Sequence, residues 1–376
     1  MYLKILLLKK CETNVSDLRL EVSTSLSPPE FRIMFRLLTI LIIGKAFFTV
    51  QTVKLDHKHV LCPEITHIES DHCPWEWAIG CAWSSFIATA KLDFIPSHTL
   101  LRIDDRSIGL NLEPTHYIEK IHFAVCIQPL YWYIDWLQLF EFIEIWTSQG
   151  VTHFFFYIYS VSQVVMDLLQ YYSDIRVDRR HFRLAHSLAN NDCLLRTQGA
   201  DFVAFVDLDE YILTSSKIPL IEYIKKKSAM CPKCGSFAIL HRRMYYSSPR
   251  PQNNFELRDV NFNWLNGIKF GQAEVDGPHK QIVRPKTVSV ISTHAVRENQ
   301  PGYVDLNQSE IFLLHASYRW SKRMFPQTYA KLNLFGEIVP ILKEKFYEVA
   351  KYIYKSNHST TIDTVLQVKV ATCIRR

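Results

Sequence analysis

The sequence predicts an α/β protein built on a mixed, mainly parallel sheet that is flanked by helices. From about His122 onward, short runs of β-branched and aromatic residues alternate with segments whose apolar residues recur at helical spacing. The connections are short, as in βαβ units, where helices cover both faces of a parallel sheet. One strong strand ends in a cluster of carboxylates. Ligands of such sheets bind at the carboxyl ends of the strands, so we expect the functional site there.

The individual elements follow from residue type and spacing. Apolar runs rich in β-formers predict strands, whereas helical spacing predicts helices that end at Gly150 and near Gly199. The expected order is a strand over 122–130, a helix over 131–149, a strand over 151–160, a helix over 161–172, a short strand with a loop over 175–184, a helix over 187–199, a strand opening 201–212, a helix over 219–227 and a strand over 235–246.

The composition is that of a globular protein with one large domain or two smaller ones. The chain has 376 residues, of which 48% are hydrophobic and 21% charged, and this excludes collagen, a disordered tail protein and a coiled coil. A net charge of +6 is too small for a nucleic-acid-binding protein, so we expect no nucleic acid partner. The mean hydropathy of −0.03 excludes a polytopic membrane protein but leaves room for one anchor.

An anchor is expected near the N-terminus, in the apolar run LLTILIIGKAFFTV at 37–50. Six basic residues precede this run and only two follow it closely, an asymmetry that places the N-terminus in the cytosol. We therefore expect a single-pass type II protein whose bulk is lumenal. Lys45 costs about 3 kcal/mol on an insertion scale, and the run is shorter than the roughly 20 residues of a spanning helix. A buried core helix or a signal sequence stays open as an alternative.

The expected organisation along the chain is the following: a cytosolic tail at 1–36, a signal-anchor at 37–53, a stem at 54–117, the catalytic domain at 118–330 and a C-terminal helical segment at 331–376.

The nine cysteines bear on the compartment. Cys231-Pro-Lys-Cys234 is a lone CxxC, and no second CxxC completes a four-ligand zinc site. We expect a local disulfide if the chain is lumenal and a reduced pair if it is cytosolic. Asn307-Gln-Ser309 and Asn357-His-Ser359 are glycosylation sequons that would be usable in a lumen.

The motif that carries chemistry follows the strand 202–206. Asp207, Asp209 and Glu210 place three carboxylates within four residues, and such a cluster after a buried strand is costly unless a cation binds. Asp207 and Asp209 point to the same side in extended geometry. Their oxygens suit Mn²⁺ or Mg²⁺, which would bridge to nucleotide phosphates and neutralise a leaving diphosphate. The alternative is a solvated acidic turn before a helix.

Other phosphate-binding and catalytic patterns are missing from the sequence. There is no GxxxxGK[ST], no GxGxxG after the first strand, no GxSxG and no HExxH. A divalent cation is therefore the expected means of holding a diphosphate. A metal-dependent sugar-nucleotide transferase holds its donor in this way.

Two stretches of the chain, CIQPLYWYIDWLQLFEFIEIWTSQGVTHFFFYIYS at 126–160 and NDCLLRTQGADFVAFVDLDEYI at 191–212, resemble glycosyltransferase family 92. The shared pieces are a Cys-x-x-Pro-Leu-Tyr strand, a Gly-x-x-His-Phe-x-x-Tyr strand, an Asn-Asp-Cys helix start and a Phe-x-Asp-x-Asp-Glu strand end. The resemblance covers roughly 118–330. It implies a GT-A-like, Rossmann-like nucleotide-sugar domain, a membrane-anchored enzyme facing the Golgi lumen, a UDP-sugar donor with galactose as the favoured sugar, a glycan acceptor and an inverting, Mn²⁺-assisted reaction.

The resemblance also implies roles for the acidic motif. Asp209 would be the direct metal ligand, and Asp207 would contact the ribose or donor sugar beside the metal. A third metal ligand would be His315 or His294, and His315 is favoured. In the family pattern a His is directly followed by Tyr-Arg, whereas Ala316 and Ser317 intervene here before Tyr318-Arg319.

Further candidates complete the expected donor site. Asn191 matches the helix that faces the acidic strand, although its role could be structural. Arg319 is a candidate donor contact through the family pattern. Lys280 and Arg284 flank a QIV strand, and either could neutralise the diphosphate or belong to a solvated face.

An inverting transfer needs a general base to deprotonate the acceptor hydroxyl. Glu274, Asp276, Glu298 and Glu310 are the candidate bases, and nothing in the sequence selects among them. A nucleotide-sugar-binding relative without activity is the main alternative function, since it would retain Asp209 without a competent base. A metal-dependent phosphohydrolase or an adhesion module is less consistent with these motifs.

Overall fold

The structure is a computed structural model that describes the following residues: 2–10, 19–23, 39–41, 58–61, 64–68, 83–91, 98–103, 106–110, 120–172, 176–178, 186–246, 248, 250–251, 260–275, 277–298, 302–316 and 333–355. Two predicted site residues, Asp276 and Arg319, lie outside this part of the chain, as does the predicted anchor apart from 39–41. Within the described part, no helix combines the length and the apolar character that a membrane crossing requires.

Six helices are present in the described residues: α1 (Trp136–Ser148), α2 (Gln163–Tyr171), α3 (His186–Arg196), α4 (Leu220–Met230), α5 (Asn263–Asn266) and α6 (Ile338–Lys355). The strands of the same residues are β1 (Tyr2–Lys10), β2 (Arg19–Ser23), β3 (Thr39–Leu41), β4 (Lys58–Leu61), β5 (Glu64–His67), β6 (Trp83–Lys91), β7 (His98–Ile103), β8 (Arg106–Leu110), β9 (Phe123–Ile127), β10 (His153–Tyr157), β11 (Arg176–Asp178), β12 (Phe202–Val206), β13 (Glu210–Thr214), β14 (Ser236–Tyr245), β15 (Lys269–Phe270), β16 (His279–Val283), β17 (Val290–Ile291), β18 (Val296–Glu298), β19 (Tyr303–Asp305) and β20 (Ile311–Ala316).

The chain forms two compact units that interleave in sequence. The first unit comprises 1–120, 184–199 and 288–299, and the second comprises 121–183, 200–287 and 300–376. The stretch 118–330, expected to form one catalytic domain, therefore contributes to both units. The expected C-terminal segment, 331–376, belongs to the second unit and contains α6.

The first unit contains two four-stranded sheets, in the orders β3-β1-β6-β5 and β4-β2-β7-β8, together with α3 and the β17–β18 hairpin. β1 pairs antiparallel with β6 along its whole length, and β2 pairs antiparallel with β4 and β7. Residues 1–36, interpreted above as a cytosolic tail, thus contain two strands. These strands form because they pair with segments beyond residue 36: β1 pairs with β3 and β6, and β2 pairs with β4 and β7.

The second unit is built on a ten-stranded mixed sheet whose main order is β11-β10-β9-β12-β16-β14-β20-β13. The four strands from β11 to β12 are parallel, as the βαβ pattern predicts. β16 then pairs antiparallel with β12 and β14, β20 runs parallel to β14, and β13 runs antiparallel to β20. The predicted fold class, a mixed α/β sheet flanked by helices, is confirmed.

The core of the second unit is apolar and strongly aromatic. The strands β9 and β12 are buried along their whole length. Helix α1 packs against α6, where the rings of Trp136 and Phe346 stack with centroids 5.8 Å apart. Such pairs contribute about 0.5–1.5 kcal/mol beyond the area they bury.

The first helix ends where the sequence predicts but begins later. Gly150 follows it with a φ of +89°, and a Cβ atom there would lie 2.3 Å from Cγ2 of Ile221, so glycine is required. The helix begins only at Trp136, because Asp135 caps it by accepting a hydrogen bond from the Gln138 backbone N–H. The expected helix start at residue 131 is therefore wrong by five residues, which form a loop after β9.

The strand expected to open 201–212 becomes two strands. β12 ends at Val206, and β13 begins at Glu210 after a tight turn. β12 pairs with β9 and β16, whereas β13 pairs with β20. The acidic motif is therefore the turn between two strands that lie in different parts of one sheet.

Candidate active site

The acidic turn is closed by two hydrogen bonds. The backbone N–H of Glu210 donates to the Asp207 carbonyl at 3.1 Å, and the backbone N–H of Asp207 donates to Oε2 of Glu210 at 2.9 Å. The carbonyl of Asp209 accepts a hydrogen bond of 2.7 Å from the Ala316 N–H. These bonds hold the turn in one conformation and place Asp209 against the end of β20.

Strand register brings three polar side chains into one row. Glu210 on β13 pairs with His315 on β20, and His315 pairs in turn with Arg243 on β14. Paired residues on neighbouring strands project from the same face of a sheet. His241 lies two residues before Arg243, so it projects from this face too. Residues separated by up to about 100 positions are thus assembled by three adjacent strands.

The side chains of the site lie within contact distance of one another. Oδ2 of Asp209 lies 3.2 Å from Nε2 of His315, and Oε1 of Glu210 lies 2.8 Å from Nε2 of His241. Nδ1 of His315 is 4.0 Å from the same Glu210 oxygen. The Glu210 and His241 side chains are 0% and 7% exposed, whereas those of Asp209 and His315 are 33% and 25% exposed. The site therefore has a buried floor, formed by Glu210 and His241, and an open rim, formed by Asp209 and His315.

Lys280 supplies a buried positive charge beneath the turn. Its side chain is 2% exposed, and Nζ lies 3.2 Å from Oε2 of Glu210 and 3.3 Å from Oδ2 of Asp207. Burial alone would lower the pKa of Lys280, but the two carboxylates raise it above its ordinary value. Lys280 therefore stays charged and neutralises the inner side of the acidic turn.

The same charges set the ionisation of the other groups. Burial opposes ionisation of Glu210, but Lys280, His241 and His315 lower its pKa below the ordinary value. Burial raises the pKa of Asp209, partly against the contact with His315. Burial would lower the pKa of His315, and the contact with Asp209 raises it instead. Glu210 is therefore an anion, and His315 is more basic than an ordinary histidine.

Three of these side chains form a candidate metal group. One ligand atom each from Glu210, His241 and His315 lies within 4.8 Å of the others. A set of one carboxylate and two imidazoles can hold a divalent cation, with the imidazoles typical of transition-metal sites and the carboxylate suited to oxygen-preferring cations as well. Asp209 lies at the rim beside His315 and could add a fourth ligand. The three side chains thus form a group that could hold a divalent cation.

Two members of this cluster were missed or misread in the sequence. His241 was not predicted, although a histidine inside an otherwise apolar strand, FAILH, is a signal that could have found it. Lys280 was expected to meet the diphosphate or solvent, and it instead lies buried against Asp207 and Glu210. A contact of Lys280 with the donor stays a prediction.

Of the two predicted histidines, His315 lies beside the acidic turn, within the second unit. His294 lies between β17 and β18 in the first compact unit. Asn191 belongs to that unit as well, on α3. Its amide donates to the carbonyls of Ser187 and Ile291 and accepts from the Ile291 N–H. The structural role left open for Asn191 therefore has direct support, and donor binding by it stays a prediction.

Arg284 and Glu310 lie at the ends of their strands away from the acidic turn. Arg284 follows β16 and donates hydrogen bonds to the carbonyls of Ser228 and Pro232. Lys280, at the other end of β16, is about 13 Å away along the strand at 3.3 Å per residue. Glu310 precedes β20, where it contacts Lys227 and Tyr223.

Glu310 is separated from His315 by the length of β20, about 17 Å at the same rise. These positions do not support direct donor contact by Arg284 or proton transfer by Glu310 at the acidic turn.

Glu274 is the candidate base that the structure places beside the site. Its side chain forms an ion pair with Nε of Arg243, which is the register partner of His315. Its backbone N–H donates to the carbonyl of His241 at 2.9 Å. The Glu274 carboxylate is 28% exposed, so it is reachable from solvent at the rim.

A second buried ion network supports the loop between β9 and α1. Arg250 donates two hydrogen bonds of 2.8 Å to Asp135 and one of 3.2 Å to Glu141. Nε1 of Trp264 donates to the other Glu141 oxygen at 2.7 Å. Burial raises the pKa of Glu141 to about 7, although Arg250 acts in the opposite direction. The network ties the segment after β14 to the start of α1.

Comparison with known proteins identifies related sequences. The model of glycosyltransferase family 92 matches residues 121–369, which include the acidic turn, His241, Lys280 and His315. A curated glycosyltransferase family 92 protein of Caenorhabditis elegans is 28% identical over 246 residues, with 58% of this chain and 47% of the relative covered. The chain thus spans about half the length of the curated relative it matches.

Solved structures show only weak similarity. The crystal structure of S. aureus TarS 1–349 is 13% identical with a TM-score of 0.31, covering 51% of this chain and 60% of that chain. HddC from Yersinia pseudotuberculosis is 10% identical with a TM-score of 0.30, covering 51% of this chain and 92% of that chain. TM-scores of this size support no argument about function.

Proposed function

Since this chain belongs to glycosyltransferase family 92, we propose that its acidic site transfers a sugar, with galactose as the favoured one, from a UDP-sugar to a hydroxyl group of a glycan. The observation that carries this proposal is the contact between Asp209 and His315, which lie 3.2 Å apart at the open rim of the site. It joins a strand-end carboxylate to a histidine of the last strand, as the predicted metal site requires.

Asp209, Glu210, His241 and His315 are the residues that would hold a divalent cation, with Mn²⁺ as the proposed metal. A bound divalent cation would neutralise charge on the departing diphosphate. Glu210 and His241 are buried and fixed by their neighbours, so they form a rigid base for the site. Asp209 and His315 face solvent, where the phosphates of a nucleotide can reach them.

Asp207 and Lys280 fix the inner wall of the site. Lys280 offsets part of the negative charge of the two carboxylates that it contacts, those of Asp207 and Glu210. We propose that Asp207 contacts the ribose or the donor sugar with its partly exposed side chain. Lys280 is committed to Asp207 and Glu210 and acts on the diphosphate only through this charge balance.

Glu274 is the proposed general base. In an inverting transfer the acceptor hydroxyl attacks the anomeric carbon from the face opposite the diphosphate, and its proton passes to a carboxylate as the bond forms. Arg243 orients Glu274 at the rim, beside the row that contains His315. This contact supports the proposal that the Glu274 carboxylate receives the proton of an acceptor that enters beside His315.

We further propose that the protein is a single-pass type II membrane protein that faces the Golgi lumen. Cys231 and Cys234 form a disulfide, the pairing expected for a lumenal chain. Structural disulfides persist in oxidising compartments and are rare in the cytosol. This observation supports the lumenal orientation, whereas the membrane anchor rests on the residues at 37–53 alone.

The test is release of UDP and transfer of sugar by the full chain. UDP-galactose and other UDP-sugars are supplied with a panel of glycans, with Mn²⁺ or with a chelator, and Asp209→Asn is compared with the wild type. Asp201→Asn is the matched control, because Asp201 precedes β12 whereas Asp209 follows it. Turnover that requires Mn²⁺ and is lost only in Asp209→Asn supports the proposal.

Nucleotide binding without turnover would instead identify the chain as an inactive nucleotide-sugar-binding relative. Absence of both binding and turnover in a folded sample would mean that the acidic motif is only a turn.

A further inference from the structure

A sequon occupies the surface turn between β19 and β20. Asn307, Gln308 and Ser309 are all exposed, and the turn is well defined because the Asn307 carbonyl accepts hydrogen bonds from the N–H groups of Glu310 and Ile311. Nη2 of Arg242 donates to the Gln308 carbonyl at 2.9 Å. The tripeptide is thus held at the surface rather than folded into the core.

The two side chains that define a sequon already contact each other. Oδ1 of Asn307 accepts hydrogen bonds from the backbone N–H of Ser309 at 3.0 Å and from its hydroxyl at 2.9 Å. The amide nitrogen Nδ2 donates to Oε1 of Glu310 at 3.2 Å, and that carboxylate is itself 42% exposed. The partner of the reactive nitrogen in this contact is therefore the exposed carboxylate of Glu310. Water or an enzyme can replace that hydrogen bond at small cost in free energy.

The turn lies at the end of the sheet that is remote from the candidate active site. Ile311 pairs with Thr214 at one end of the β13–β20 pair, and His315 pairs with Glu210 at the other. Four residues of strand separate Ile311 from His315, a distance of about 13 Å, and Asn307 lies beyond Ile311. A large substituent on Asn307 would therefore leave the rim formed by Asp209 and His315 open.

A location in the secretory pathway, as proposed above, would allow this modification. The Cys231–Cys234 disulfide is typical of proteins that mature in the secretory pathway, where N-glycosylation takes place. From these observations we infer that Asn307 is an N-glycosylation site that carries a glycan at the end of the sheet remote from the active site.

The proposed step uses a lipid-linked oligosaccharide diphosphate as the donor, supplied by the secretory pathway of the cell. A bond forms between Nδ2 of Asn307 and the anomeric carbon of the oligosaccharide. The bond from that carbon to the diphosphate oxygen breaks, its electron pair leaves with the lipid diphosphate, and one amide proton is lost.

The experiment uses the full chain expressed in eukaryotic cells and a peptide N-glycosidase in heavy-oxygen water. The enzyme converts a glycosylated asparagine to a labelled aspartate, which mass spectrometry assigns to Asn307. We expect the label in the wild type and in Asn357→Gln, and none in Asn307→Gln or Ser309→Ala. Ser309→Thr is expected to keep it.

An unlabelled Asn307 peptide in the wild type would overturn the inference, whatever the state of Cys231 and Cys234. The oxidation state of those cysteines, measured in the same sample, shows whether the chain entered the oxidising compartment. Sugar transfer by Asn307→Gln is expected to match the wild type, since the glycan lies away from the rim. The outcome for the glycan is therefore distinct from the outcome for the proposed activity.

Discussion

The Asp209 carboxylate and the His315 imidazole meet at 3.2 Å although 106 positions separate them in the sequence. Their approach is fixed from both sides, because Glu210 pairs with His315 across β13 and β20 while the Ala316 N–H bonds to the Asp209 carbonyl. The contact is thus a product of strand register rather than of a flexible side-chain encounter. It is the part of the site on which the proposed activity depends most directly.

A double-mutant cycle tests this contact. We expect Asp209→Asn and His315→Gln each to lower sugar-transfer turnover by about 100-fold or more, since even residues that only orient a metal ligand cost about 10- to 100-fold when replaced. The double variant should lose little more than either single variant, because groups that act as one unit are not additive. Turnover is measured at saturating UDP-sugar and Mn²⁺. Fully additive losses would show that the two residues act separately.

Replacing Glu274 and Glu310 one at a time tests which of the two is the general base. Glu274→Gln should lower the maximal rate of transfer about 100-fold or more, the scale of general acid–base catalysis, because its carboxylate lies at the rim beside Arg243. Glu310→Gln is the matched control and should leave the rate nearly unchanged, since Glu310 lies at the far end of β20. The rates are compared at saturating acceptor. A larger loss in Glu310→Gln than in Glu274→Gln would reverse the assignment.

Lys280 should be essential for stability. Replacement by methionine keeps the buried length but leaves Asp207 and Glu210 without their cation, and breaking a buried pair from one side costs about 3–5 kcal/mol. Lys345→Met is the control, because its exposed pair with Glu348 is worth at most about 1 kcal/mol. Urea unfolding followed by circular dichroism measures both. Equal midpoints for the two variants would contradict this role.

The free energy of unfolding should depend on pH through the ionisation of Glu141. Its pKa is raised from 4.5 to about 7 in the folded protein, so between these values the folded state holds a proton that the unfolded state has lost. The free energy of unfolding therefore falls as pH rises through this window, by at most about 1.4 kcal/mol per pH unit, and changes no further above it.

The variant Glu141→Gln removes this titration, because the amide holds no ionisable proton. Unfolding of the wild type and the variant is compared at several pH values across the window. The difference between their unfolding free energies should change steadily with pH. A constant difference would mean that Glu141 ionises at its ordinary pKa, and hence that Arg250 offsets its burial completely.

Several features of the second unit were predictable because they depend on residues close in sequence. The parallel strands β9, β10 and β12 are short runs of apolar β-formers, and the end of α1 follows from Gly150. The acidic turn after β12 is likewise visible locally. Membership of glycosyltransferase family 92, predicted from several spaced motifs together, is confirmed.

Other features could not be predicted, because they depend on which strands become neighbours. The division of 201–212 into two strands arises because β13 pairs with β20, a strand about 100 residues later. The unit boundaries depend on long-range packing as well, because contacts of α3 with β1, β6 and β17 group 184–199 and 288–299 with the first unit. Periodicity within a segment contains no information about such partners.

The amino-acid pattern alone thus predicted an α/β chain with carboxylates at a strand end, and the resemblance to the family added His315 as their favoured partner. The tertiary structure decided that His241 joins them, that Lys280 lies beneath them and that Glu274 rather than Glu310 stands at the rim. The physical reason is that alternation along a strand determines which face a side chain occupies. The order and register of the sheet determine which side chains share that face, and these are set by contacts across the whole unit.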